Sequence, residues 1–302
     1  MMKEKCLLGS SPLNFPKTLK SWAASALLLG SLLINAAWAD PVVGRLYANM
    51  HRGHMKLSVP KEQARAVPTL VKGLYRVEGP QGRSIGFTNA EGTLYGGSDG
   101  FSYLPADGSA VRRLTEQELA DLRSEIVAGI DTSQLIRVQY GDGGGRRVLM
   151  FSALDCPICQ LLENKLMQLQ GSLDTTFYVV PASLRPMQMP AGQQAWQIVS
   201  RLWCAPDNGQ VWRQFWAGQG QMPQAREACA FIEPQQAFNA YMSVHAALLQ
   251  AGSKARGTPA MFLEDGSLLT YQTSRSDAEW LRVLGPQGAP APAKPAKRWL
   301  AQ

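Results

Sequence analysis

The chain has 302 residues, a formal net charge of +7 and 45% hydrophobic residues, enough for two modest domains with a sizeable core. The positive excess is mild and partly carried by the first 39 residues, and no basic run interleaved with aromatics offers a nucleic-acid surface, so that class of partner is set aside.

Residues 1–39 read as a signal peptide. Lys3, Lys5, Lys17 and Lys20 form a basic leader, Trp22 to Ala37 is an apolar run, and Ala37-Trp38-Ala39 is a small-x-small cleavage site before Asp40. The stretch Ala24 to Ala37 is short for a membrane span. Cleavage after Ala39 removes Cys6 and leaves four cysteines, which in an oxidising compartment fit two disulfides, or one disulfide plus a redox pair.

Residues 40 to about 70 are weakly patterned, and His51 and His54, with no carboxylate or cysteine cluster beside them, read as solvated surface. From Leu70 to Leu114 short apolar runs alternate with turn residues: Leu74 to Val77, Ser84 to Thr88, Thr93 to Tyr95 and Phe101 to Leu104 predict a small antiparallel sheet, so 40–114 is expected to be a small β-rich domain. Thr115-Glu116-Gln117-Glu118 is a capping box, and Leu119, Leu122 and Ile126 stripe the helix it opens, a linker over 115–130. The alternative is an ordinary surface helix of the second domain.

Leu135 to Tyr140 and Arg147 to Ala153 predict two strands. A C-x-x-C follows, Cys156-Pro157-Ile158-Cys159, where the apolar run ends and Leu162, Leu166 and Leu169 begin a helical stripe. Thr176 to Pro181 completes a strand–helix–strand unit. Residues 183 to 250 read as a helical insertion holding Cys204 and Cys229, with His245 as a helix-face residue rather than a catalyst. Gly257-Thr258-Pro259-Ala260 then opens a strand, Glu264-Asp265-Gly266-Ser267 turns a hairpin, and Trp280, Leu281 and Leu284 mark a last helix. The Pro-, Ala-, Gly- and Lys-rich segment 286–302 is expected to be a disordered tail.

The C-x-x-C carries the chemistry. At a helix N-terminus, unpaired backbone N–H groups and the positive end of the helix dipole favour a thiolate. Cys156 is therefore the attacking sulfur and Cys159, one turn further in, its partner. C-x-x-C is also half of a zinc site, but Cys204 and Cys229 do not form a compact second half, so no metal is expected.

With those residues in place, the order of apolar strand, C-x-x-C helix, strand, helical insertion and Thr258-Pro259 hairpin resembles the thioredoxin-like superfamily. Leu202-Trp203-Cys204-Ala205, Cys229 and Gly257-Thr258-Pro259-Ala260 within the insertion and loop look like the periplasmic disulfide isomerases of the DsbC/DsbG type. The resemblance implies an α+β amino-terminal dimerisation domain joined to an α/β thioredoxin-like domain over 131–285. It implies Cys156 as nucleophile, Cys159 as resolving thiol, Thr258 and a cis Pro259 binding substrate backbone, and Cys204 with Cys229 as a structural disulfide. It further implies a periplasmic homodimer that needs no cofactor, acts on misfolded exported proteins and is kept reduced by a membrane thiol reductase. The sequence departs from that pattern at Ile158 and Gln160, where family members carry an aromatic and a basic or imidazole residue. The rival readings are a dedicated thiol oxidase and a non-enzymatic chaperone or assembly factor of a secretion or surface apparatus.

Overall fold

The computed structural model describes residues 40–142, 145–218, 223, 229, 233–286 and 298–300. The expected signal peptide and most of the expected tail lie outside them. Asp40 opens the described chain by capping α1 (Pro41–Arg52): one carboxylate oxygen accepts from the N–H groups of Val42 and Val43, and the other from Ala66 at 2.6 Å. This helix corrects the reading of residues 40 to about 70 as weakly patterned. Asp at the N-cap, Pro at the first turn, and Val43, Leu46 and Met50 on one buried face were the signals for it.

Six short strands follow: β1 (Arg65–Pro68), β2 (Leu74–Glu78), β3 (Ser84–Asn89), β4 (Leu94–Gly97), β5 (Gly100–Tyr103) and β6 (Arg112–Arg113). They pair in sequence order as an antiparallel meander. Alternation along the strands sends Val77 to one face, where it packs with Leu46 and Met50 of α1 and with Leu104. Leu74, Phe87, Leu94 and Phe101 join a second core that continues into the rest of the chain. Arg76 donates from this face to Ser243 Oγ at 2.9 Å.

α2 (Glu116–Gly129) starts at the expected capping box, with Thr115 Oγ1 accepting from the Glu118 N–H while a Glu118 oxygen accepts from the Thr115 N–H. Its buried Leu122 and Ile126 enter the shared core, Ser124 Oγ donates to the Glu264 carbonyl at 3.1 Å, and Arg123 donates to the Ala251 carbonyl. These bonds fasten the helix to the second half of the chain.

The second sheet contains β7 (Ile136–Tyr140), β8 (Arg146–Ala153), β9 (Thr175–Ala182), β10 (Ala260–Leu263) and β11 (Leu268–Leu269) in the order β11-β10-β8-β9-β7. α3 (Pro157–Leu169) links the parallel pair β8 and β9; β10 is antiparallel to β8 and β7 to β9. With a closing helix α7 (Asp277–Leu284), this strand order and connectivity is the thioredoxin-like fold. The insertion between β9 and β10 contributes α4 (Pro190–Trp203), α5 (Asn208–Trp216) and α6 (Pro234–Gln250). α5 crosses β7 so closely that a Cβ on Gly209 would lie 1.9 Å from the Arg137 carbonyl oxygen. Cys204, at the end of α4, is disulfide-bonded to Cys229.

Residues from Asp40 onward form one compact unit. The expectation that the small sheet keeps an apolar face for a second copy meets a different packing, since α1 covers one face and the shared core the other. The expected tail also differs at its end: Trp299 and Leu300 are 3% and 5% exposed. A shared core predicts shared unfolding. Phe87→Ala in the small sheet should cost about 3–5 kcal/mol and lower a single transition followed both by far-ultraviolet circular dichroism and by Cys159 reactivity; two separated transitions would contradict a common core.

Candidate active site

β8 is the central strand, buried along its length from Val148 to Ala153 because β9 and β10 flank it. Its end delivers Asp155 and Cys156 to the rim of the sheet. Cys156 is the N-cap of α3, and its Sγ accepts from the Cys159 N–H at 3.4 Å, occupying one of the unpaired donors at the helix start. Pro157 stands at the first helical position. Cys159 lies one turn on with its sulfur fully enclosed, accepting from the Ala153 N–H at 3.4 Å. Both thiols are free.

The loop before β10 completes the site. Ala260 pairs with Phe151, so Thr258 and Pro259 fall beside the end of β8, and the bond between them is cis. The Thr258 carbonyl oxygen is 3.3 Å from Cys156 Sγ. On the opposite flank, Asp155 ties down the segment after β9: it accepts from the Ser183 hydroxyl at 2.8 Å and the Leu184 N–H at 2.7 Å, with Arg185 3.6 Å away. Ala153, Cys156, Cys159 and Ala182 form a small buried cluster, against which Trp216 and Phe238 of the insertion pack.

The two sulfurs are electrostatically unlike. Burial raises the Cys156 thiol, but interactions with the Thr258 side chain, with Cys159 and with the Ile158 N–H outweigh it, so this thiol titrates below its ordinary value. The contact with the Thr258 carbonyl works the other way, since an oxygen that only accepts favours the S–H; it is one acceptor against several donors. For Cys159, burial dominates and pushes the thiol up to about 11, despite the Ala153 N–H and the hydroxyls of Thr258 and Ser152. Both hydroxyls are buried and make no other hydrogen bond. Cys156 is 6% exposed, less open than the sequence reading implied, and Cys159 0%.

The structure thus gathers Cys156, Cys159, Thr258 and Pro259 into one place and sets the Cys204–Cys229 disulfide in the insertion apart from them. Three residues escaped the sequence reading, two at the dithiol and one further along α3. Trp216 and Phe238 gave no signal, because their approach depends on how the insertion folds back. Glu163 did give one: it lies four residues after Cys159, between Leu162 and Leu166 on the buried stripe of α3. Its carboxyl is 2% exposed, accepts from Trp212 Nε1 at 3.0 Å, and burial pushes it up to about 8. Among the described residues no three His, Cys, Asp or Glu side chains are grouped to hold a metal, and no helix is long and apolar enough to cross a membrane.

No family model and no curated protein matches the chain. Among solved structures, it is similar to a disulfide interchange protein from Neisseria gonorrhoeae, with 22% identity over 51% of this chain and 96% of that one and a TM-score of 0.35. It is also similar to the catalytic domain of Proteus mirabilis ScsC, with 14% identity, 56% and 96% coverage and a TM-score of 0.38. The thiol-disulfide exchange protein alpha-DsbA2 from Wolbachia pipientis aligns at 12% identity, with 51% and 87% coverage and a TM-score of 0.34. The fold assignment rests on the strand order and connections described above.

Two measurements follow from these charges. In the reduced protein, iodoacetamide should modify Cys156 first, with a midpoint below that of a free cysteine, and Thr258→Val should raise that midpoint; faster labelling of Cys159 would reverse the roles. Glu163 keeps its proton to about pH 8 when folded but loses it near 4.5 when unfolded, so folding takes up a proton between those values and stability falls as pH rises through the window. Glu163→Gln should flatten a decline on the order of 3 kcal/mol in chemical denaturation between pH 5 and pH 8.

Proposed function

We propose that this chain is an exported thiol–disulfide exchange enzyme acting on proteins, with Cys156 as nucleophile and Cys159 as resolving thiol. The observation that carries the reading is the inequality of the two sulfurs: one lowered at a helix N-cap beside the Thr258-Pro259 loop, the other enclosed and raised. A thiolate at the rim attacks a client disulfide; the client S–S bond breaks, the departing client sulfur takes a proton, and a Cys156–client mixed disulfide remains. Cys159 then loses its proton and attacks Cys156 Sγ. The client leaves reduced by two electrons and the pair is left as a disulfide. When a client thiolate makes the second attack instead, the client is rearranged and the pair stays reduced.

Protein rather than small-thiol substrates are supported by five large apolar side chains left exposed on the segments flanking Cys156. Ile158 and Leu161 lie on the first turns of α3; Leu184, Met187 and Met189 follow β9, where Asp155 holds the chain. Methionines and leucines accept many sequences, as repeated use on unfolded clients requires. The loop at Thr258 and cis Pro259 is proposed to pair with an extended client backbone, and the Cys204–Cys229 bond to brace the insertion that carries Trp216. A periplasmic location and a membrane thiol reductase that returns the pair to the dithiol complete the proposal.

A second reading, monomeric oxidase or reductase rather than dimeric isomerase, is favoured by one observation: both faces of the small sheet are already covered within the chain. The reduction potential and the refolding of a scrambled multi-disulfide substrate separate these outcomes, because an isomerase requires the dithiol and an oxidase the disulfide. For the shared chemistry, Cys159→Ala should accumulate reducible covalent adducts with exported proteins on non-reducing gels, and Cys156→Ala none. Full biological activity in Cys156→Ala would instead establish a non-enzymatic chaperone or assembly factor.

A further inference from the structure

The exchange chemistry makes no use of Asp155, the residue immediately before the nucleophile, and a carboxylate adjoining an attacking sulfur opposes its thiolate. The bonds of Asp155 account for its presence. Sheet pairing between β8 and β9 ends at Ala153 and Ala182, with a last backbone bond from the Leu154 N–H to the Ala182 carbonyl at 3.0 Å. Residues 183–189 then leave the sheet, and among the described residues Asp155 is the only side chain outside this segment that hydrogen-bonds to it. Each carboxylate oxygen takes one donor: Oδ2 the Ser183 hydroxyl at 2.8 Å, Oδ1 the Leu184 N–H at 2.7 Å. Arg185 Nε lies 3.6 Å from Oδ2, and the Arg185 N–H donates to the Ser183 hydroxyl at 3.1 Å. At the far end the Met189 N–H donates to the Pro186 carbonyl at 3.0 Å, and Gly192 of α4 is pressed so close to that carbonyl that a Cβ would stand 1.9 Å from its oxygen.

The segment so fixed carries Leu184, Met187 and Met189, which are 58%, 38% and 55% exposed. With Ile158 and Leu161 they are all the large apolar side chains left exposed among the described residues. A neutral side chain at 155 could accept one donor without repelling the thiolate, but serving a hydroxyl and a backbone N–H at once takes two acceptor oxygens. We propose that Asp155 is a positioning residue for client recognition, holding Leu184 and the methionine-bearing segment beside Cys156 so that apolar residues flanking a client cystine meet a preformed surface. This inference rests on the exchange reading above and adds the residue that sets its preference for proteins over small disulfides. Without the anchor each client would have to order the segment on binding, a cost that preorganisation removes. Glutathione disulfide, with no apolar side chain to place on that surface, would not feel the loss.

The test is the single-turnover reaction of the reduced full chain with excess insulin and, separately, with glutathione disulfide. In D155A the insulin concentration giving half the maximal rate should rise about ten-fold, the maximal rate should fall less, and the rate with glutathione disulfide should not fall. The midpoint of Cys156 alkylation should move down, because a repelling charge has gone; a change that merely loosened the site would move it up toward that of a free cysteine. D155N, which keeps an acceptor for the Leu184 N–H, and S183A, which removes the other donor, should each raise half-saturating insulin by less than D155A does. Should D155A fail to fold, the isosteric D155N decides, and an unchanged insulin dependence in it overturns the proposal. Unchanged insulin dependence in a folded D155A, or an equal loss on both substrates with a raised midpoint, overturns the role of Asp155 while leaving the exchange chemistry intact. A native chain that reacts with neither disulfide overturns the exchange reading and this inference with it.

Discussion

A sulfur made to serve as a helix cap is the constraint on which the rest of this molecule depends. For Cys156 to accept the N–H of Cys159, strand β8 must stop at the sheet rim, turn once and enter α3 without another capping side chain. That end is fixed only because β8 is clamped between a parallel and an antiparallel neighbour. The antiparallel neighbour brings Thr258 beside the sulfur, and the parallel one brings Ala182 and the Asp155-bound segment to its other flank. One strand position thus determines the electrostatics of the thiol and the two surfaces a client would meet.

Much of this is local chemistry and is legible in the sequence. C-x-x-C after an apolar run, the capping box at Thr115, and turn residues between short strands each depend on neighbours a few positions away. The cis loop at Pro259 and the Cys204–Cys229 pairing required a resemblance, because nothing local sets either. What escaped is of two kinds. Trp216 and Phe238 reach the dithiol through the return of an insertion, a long-range fact with no periodic trace. α1, Glu163 and Trp299 had traces that were outweighed by setting: a helix signal just after the expected leader, an acid on a stripe that looked apolar, and two large residues after a low-complexity run.

The small sheet shows the same limit at larger scale. Its strands were visible, and its few apolar residues suggested that a second surface must cover it. That physical inference holds, but the covering surface comes from the chain itself. α1 takes the Val77 face; Phe87 and Phe101 meet the core that α6 and α2 also enter. Sequence patterning says that a face must be buried without saying by what, since intramolecular and intermolecular partners satisfy the same periodicity.

The asymmetry of the two thiols would also constrain the direction of the proposed exchange. Groups that lower the pKa of Cys156 stabilise the reduced pair relative to its disulfide, where no sulfur charge exists to be stabilised, so each favourable contact makes the pair a stronger oxidant. The interactions of Cys156 with the Thr258 side chain and the Ile158 N–H act in that sense. Enclosure of Cys159 does not oppose it thermodynamically, because a thiol raised to about 11 is neutral in the reduced form and needs no solvation. Its effect is kinetic: resolution waits for Cys159 to lose a proton in an apolar setting, and the mixed disulfide lives longer. A long-lived mixed disulfide allows a client thiol to make the second attack before Cys159 does. In the proposed exchange, enclosure would therefore pull toward rearrangement and the lowered Cys156 toward oxidation, with the balance set by how fast Cys159 gives up its proton.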